Sequence, residues 1–199
     1  MKVLFILGSH RKDGNTAQFV DIVKNHPMNN WFSPKFIWLA DKEIKYCQSC
    51  YKCSTKMQCV LKDDVKEIVE EMKATDAIVY VPVIYAFAAN SRFQAFLERV
   101  GYGFLRPQNR PLRNKLAIVV VIGRRYAHTS VASQVIMNIL LNEMIIVGSG
   151  FLPLLYGQGK FPGNIGFDRE GLESLYANIG RLIEWHNAKR VGICGNIVD

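Results

Sequence analysis

Apolar residues in this chain are gathered into short, nearly unbroken runs, and that grouping constrains the fold more than any other feature. Residues 3–7, 36–39, 77–81 and 116–122 carry almost no polar side chain, as strands buried on both faces must. A fifth run starts at 144–147, is interrupted by Gly148-Ser149-Gly150, and resumes over 151–155. Helical patterns lie between them. Residues 15–25 place Ala17, Val20, Ile22 and Val23 near helical spacing. Behind the acidic opening Asp63-Asp64, one face collects Val65, Ile68, Val69 and Met72. Residues 91–100 turn Phe93, Phe96 and Leu97 inward, and helices over 130–143 and 168–188 complete the series. Strands alternating with amphipathic helices predict an α/β fold with one parallel sheet covered on both faces.

The 199 residues suit a single domain over 1–199 with a substantial core. Hydrophobic content of 49% against 21% charged residues excludes wholesale disorder. No apolar run reaches the roughly 20 residues of a membrane span, and the apolar stretch at the start is too short for a signal peptide. A cytoplasmic setting is therefore expected, where thiols stay reduced. The net charge of +8 is scattered in pairs, Arg11-Lys12, Arg124-Arg125 and Lys189-Arg190. This reads as suiting an anionic cofactor and an acidic electron carrier rather than nucleic acid.

Two irregular stretches, 41–61 and 102–114, are too long for a compact domain unless they have a task. In open sheets of this kind ligands sit beyond the carboxyl ends of the strands, which directs attention to loops 8–16, 82–91 and 123–130. The first, Gly8-Ser9-His10-Arg11-Lys12-Asp13-Gly14-Asn15-Thr16, has the parts of a phosphate cradle. Gly8 and Gly14 give room for the backbone to approach, Ser9 and Thr16 give hydroxyls, Arg11 gives charge, and Asn15 or Thr16 opens a helix whose free N–H groups favour an anion. It is neither a Walker A loop nor Gly-x-Gly-x-x-Gly; a terminal monophosphate such as that of FMN needs neither device. The alternative is a polar strand–helix turn.

The first irregular stretch holds four cysteines within thirteen residues, Cys47-x2-Cys50-x2-Cys53-x5-Cys59. Thiolates this dense suit the corners of one iron–sulfur cluster. A zinc site would favour two separated Cys-x2-Cys knuckles, and a loop that holds no metal is the other alternative. Cys194 stands apart as a bystander.

Together these segments resemble the NADPH-dependent FMN reductase superfamily. The phosphate loop is similar to that group's FMN loop. The cysteine run followed by Lys62-Asp63-Asp64-Val65 is similar to the compact motif of the iron–sulfur flavoproteins, and the stretch from Pro82 through Tyr85 to Ala95-Phe96-Leu97-Glu98-Arg99 is similar to the second flavin loop and its helix. The resemblance implies a flavodoxin-like three-layer sandwich with a five-stranded parallel sheet in the order 2-1-3-4-5. It also implies non-covalent FMN, a 4Fe–4S cluster near the flavin on Cys47, Cys50, Cys53 and Cys59, and homodimers or homotetramers. Three departures from that pattern are visible: Ala86-Phe87-Ala88 replaces a small or Gly-containing segment, the spacing from Pro82 to Arg99 is one residue longer, and residues 123–128 lack a Gly-Gly-Gln-Glu type of sequence.

On this reading Ser9, Arg11, Gly14, Asn15 and Thr16 hold the FMN phosphate. Pro82, Ile84, Tyr85, Ala86 and Phe87, with Gly123 and Arg124, surround the flavin ring, by stacking or through backbone groups. His128 is a candidate proton donor. No catalytic side chain is assigned, because the cofactors carry the chemistry. The expected function is electron transfer between FMN, the cluster and a ferredoxin-like carrier, another electron carrier or a small-molecule acceptor. The rivals are an NAD(P)H-dependent FMN or quinone reductase without a cluster, with NAD(P)H as reductant, and a non-enzymatic sensor module.

Overall fold

The computed structural model describes residues 1–103, 109–161 and 163–191. Cys194 lies outside them, as does part of the 102–114 stretch. The central sheet has five strands: β1 (Lys2–Leu7), β2 (Ser33–Trp38), β3 (Ala77–Val81), β6 (Leu116–Val119) and β8 (Ile145–Ile146). All are parallel, in the order β2-β1-β3-β6-β8. Counted as runs of the sequence, this is the expected 2-1-3-4-5. The short strands β4 (Ile84–Tyr85) and β5 (Ala88–Ala89) form a hairpin, and β7 (Val121–Gly123) pairs with β9 (Leu154–Tyr156).

The fourth and fifth runs are each split. β6 pairs with β8, but beyond Val120 the chain continues as β7 and pairs with β9. Val120 itself still donates to Tyr80 O at 2.8 Å, so the ladder to β3 is unbroken. The gap in the fifth run falls where the sequence places Gly148-Ser149-Gly150; Gly150, at φ +101°, adopts a left-handed conformation easy only for glycine.

The helices are α1 (Asn15–Asn25), α2 (Lys52–Lys56), α3 (Val65–Ala74), α4 (Ser91–Glu98), α5 (His128–Leu141) and α6 (Arg169–Arg190). On α1 the buried stripe is Thr16, Phe19, Val20 and Val23; Ala17 and Ile22 are half-buried, because Phe19 takes the inward position. α4 stops two residues earlier than its pattern suggests and passes into a π-turn over Arg99–Gly103. The small helix α2 breaks up the expected irregular stretch, with Tyr51 and Met57 left-handed at its two ends.

Alternate residues of each strand feed two cores. On β3, Ile78 and Tyr80 join Ile68, Met72, Phe93 and Phe96 on the α3–α4–α5 face. Val79 and Val81 join Phe5, Phe19, Leu175 and Ile179 on the α1–α6 face. This is why the strands are apolar throughout rather than alternating. Among the described residues no helix is long and apolar enough to cross a membrane.

Candidate functional site

At the carboxyl edge of the sheet the expected loops touch in sequence. Gly8 N donates to Val81 O at 2.9 Å, and a Cβ at Gly8 would lie 2.8 Å from Phe93 Cδ2 and 3.3 Å from Pro82 Cα. A Cβ at Gly123 would collide with Ile84 and stand 3.0 Å from the His128 ring. A fourth loop, after β9, closes the ring: Gly157 N donates to Gly123 O at 2.8 Å, and Gly157 packs against the Asn15 amide. This loop carries no motif in the sequence; its only signal there is the small residue that follows β9.

The 8–16 loop is ordered by its own side chains. Ser9 Oγ accepts from Arg11 N (3.0 Å) and donates to Arg11 O (3.1 Å), so in this conformation its hydroxyl stabilises the turn rather than facing a ligand. Arg11 reaches Asp13 at 3.1 Å, and its guanidinium holds the Asp13 carboxyl below its ordinary range. Gly14 caps α1 without any side-chain hydrogen bond, and its carbonyl accepts from Ala17 N at 2.9 Å and Gln18 N at 3.1 Å. Thr16 is buried on the inner face. Beside the loop, Asn90 Nδ2 lies 3.2 Å from His10 Nε2, while its buried Oδ1 has no hydrogen-bond partner.

The hairpin carries Tyr85 and Phe87, both exposed, and Ala86 and Phe87 are left-handed at φ 46° and 64°. Phe87 faces Tyr126 at 6.4 Å between centroids, and Tyr85 faces His10 at 6.4 Å. Arg124 leans away from the hairpin, donating to Gly159 O at 3.3 Å and lying over Phe161. These surroundings present an aromatic mouth above a backbone-lined floor, a setting in which a planar heteroaromatic ring can stack and bond at its edge.

His128 is placed beneath this floor. Its ring is buried, stacks on Tyr156 at 3.9 Å, and its Nε2 lies 3.2 Å from Leu155 O. Burial pushes its pKa down, against the opposing pull of the Leu155 and Gly123 backbone and of Asp168. It is a packing element under Gly123 rather than an exposed proton donor.

Cys47, Cys53 and Cys59 are partly buried, Cys50 is exposed, and all four are free thiols. Burial pushes the Cys53 thiol up, against the opposing pull of a backbone hydrogen bond, and the neighbouring Cys59, Cys47 and Cys50 add to the rise. Yet among the described residues no three His, Cys, Asp or Glu side chains converge on a single ion. A lone zinc needs sulfurs gathered about one point at ~2.3 Å, whereas a cubane offers each thiolate its own iron. Four thiols are the donor chemistry that iron–sulfur clusters take. The loop is also tied to the sheet edge: Lys12 bridges to Asp41 at 2.6 Å, and Arg92 of α4 bonds the carbonyls of Leu39, Ala40 and Lys42.

Comparison with known proteins agrees with this geometry. A family model described as NADPH-dependent FMN reductase matches residues 1–157. An iron–sulfur flavoprotein of Methanocaldococcus jannaschii is 32% identical over 191 residues, covering 92% of this chain and 95% of that protein. An iron–sulfur flavoprotein of Archaeoglobus fulgidus is 30% identical over 169 residues, covering 83% and 72%. Among solved structures, the flavoenzyme NAD(P)H:(acceptor) oxidoreductase FerB of Paracoccus denitrificans aligns with a TM-score of 0.66 at 12% identity, covering 92% of this chain and 96% of that one; that likeness concerns the fold alone. The chain belongs to the NADPH-dependent FMN reductase family, alongside the iron–sulfur flavoproteins, and is an FMN-dependent oxidoreductase of flavodoxin-like fold.

Proposed function

We propose that the chain binds FMN at the ring of loops on the carboxyl edge, holds a 4Fe–4S cluster on Cys47, Cys50, Cys53 and Cys59, and passes electrons between these groups and an external partner. The observation that carries this reading is the physical tie between the two sites. Lys12 of the phosphate loop and Arg92 of the helix after the flavin hairpin both grip the segment leading into the cysteines. FMN supplies two-electron and one-electron chemistry, and the cluster supplies one-electron transfer.

The protein's own contribution is to bind and orient. The start of α1, with Gly14, Asn15 and Thr16, receives the phosphate, and Arg11 adds charge once released from Asp13. Ser9 shapes the loop. Pro82, Ile84, Ala86 and Gly123 line the ring, with Tyr85 and Phe87 as stacking partners. Arg124, turned toward Phe161, stands ready for an anionic reductant such as NAD(P)H. A ferredoxin-like or other acidic carrier suits the basic balance. Assembly with a second copy has support in the exposed Met137 and Leu140 on α5, and reduced thiols suit the cytoplasm.

A reductase that keeps these cysteines without a cluster is the second reading, favoured by the thiols not converging on one ion. The test is absorbance with iron and sulfide analysis on protein purified without oxygen, in parent and Cys50→Ala. Flavin bands with about four irons per chain in the parent, and FMN without iron in the variant, are expected. Flavin with no iron in the anaerobic parent transfers the assignment to the reductase.

A further inference from the structure

The cysteine loop is closed by a stem in which residues 43–45 run beside 62–64. Asp64 N donates to Glu43 O at 3.0 Å. The carboxylates answer in the other direction: Asp64 Oδ2 accepts from Glu43 N at 2.7 Å, and Asp63 Oδ2 from Lys45 N at 2.9 Å. Lys45 Nζ donates to Lys62 O at 2.8 Å.

Beneath this stem lies Arg99, at the start of the π-turn that ends α4. Its Nη1 is 2.6 Å from Asp63 Oδ2 and 2.9 Å from Lys45 O, and its Nη2 is 3.2 Å from Asp63 Oδ1. Both side chains are 1% exposed. One guanidinium thus bonds the ingoing strand through a carbonyl and the outgoing strand through a carboxylate. The adjacent Glu98 accepts from Cys47 N at 3.3 Å.

A buried ion pair is an inefficient source of stability, because desolvation of both charges offsets their attraction, and an apolar pair of similar volume often serves as well. Its value lies in direction: a planar fork accepts partners only at fixed angles. We propose that Arg99 and Asp63 are positioning residues, holding the two ends of the cysteine loop in register so that Cys47 and Cys59 face one another before any cluster arrives. This rests on the reading of the four cysteines as cluster ligands. α4 starts directly after the flavin hairpin, so the same helix positions both sites.

The test compares the parent with Arg99→Met/Asp63→Leu, which replaces the pair by apolar side chains, and with Arg99→Lys, which keeps the charge without the fork. Four quantities are read: FMN content, the thermal midpoint, the iodoacetamide alkylation rate of each cysteine in metal-free reduced protein by mass spectrometry, and iron per FMN after anaerobic reconstitution. The double variant is expected to keep its FMN and melt close to the parent. Its Cys47 and Cys59 should alkylate roughly tenfold faster as local opening becomes easier, the exposed Cys50 should change little, and iron uptake should fall. Arg99→Lys should also lose protection. Parent-like alkylation in the double variant, or parent-like protection with lysine, overturns the proposal. So does loss of FMN together with the loop, since the pair would then belong to the general core. If the parent itself takes up no iron, the cluster reading fails, while the alkylation rates still decide whether the clamp exists.

Discussion

A buried imidazole that refuses a proton makes stability depend on pH, and His128 is such a group. Its folded pKa lies below the ordinary 6.5 because burial disfavours the charged ring. Above that value the ring is neutral in both folded and unfolded chains and contributes nothing. As pH falls through it, the unfolded ring takes up a proton that the folded ring does not, so stability is lost toward acid. His186 is shifted in the same direction, chiefly by burial, and adds to the effect. The thermal midpoint should therefore drop between about pH 7.5 and 5.5, and drop less steeply in His128→Gln. An equal slope in that variant would mean that the ring protonates freely in place. In the sequence His128 is only a candidate proton donor at the flavin. Its burial under Gly123 depends on Leu155 and Tyr156, 27 and 28 residues onward, and no local pattern announces that.

Among the elements, the hairpin over residues 84–89 is the least expected. A two-residue hairpin loop needs positive φ at both central positions, which normally selects Asn-Gly; here Ala86 and Phe87 hold them. Each costs on the order of 1 kcal/mol in that region, and the surroundings compensate through Asn90 N bonding Val83 O at 3.2 Å and the Val83–Ile122 bridge. Ala86→Asn with Phe87→Gly should raise stability by about 1–2 kcal/mol in urea unfolding and weaken FMN retention, since an exposed aromatic is removed from the mouth. A gain in stability with unchanged FMN affinity would show that Phe87 does not meet the flavin. From sequence this segment was visible only as a loop, because Ala-Phe carries no turn signal. The helices fared better: their apolar spacing and the acidic residues ahead of α3 are local features.

Over the whole molecule, the two cores share one sheet, and Phe5 shows how firmly. Its ring meets Phe36 at 4.9 Å, Phe19 at 6.0 Å and Phe32 at 6.2 Å, drawing β1, β2 and α1 together. Phe5→Ala should cost about 3–5 kcal/mol, a large part of a typical total of 5–15 kcal/mol, measured by urea denaturation. A loss below about 1 kcal/mol would mean that the site collapses around the smaller side chain. The sequence by itself determined the strand and helix series, the glycine- and hydroxyl-bearing loop at 8–16 and the four-thiol donor set, because each is written in contiguous residues whose period or spacing carries the physics. Tertiary structure alone decided the division of the fourth run, the fourth loop at Gly157, the inward turn of His128 and the Arg99–Asp63 clamp. Each of these depends on groups far apart in the chain, 36 residues in the case of the clamp, and a contact at that separation exists only once both cores have closed on the sheet.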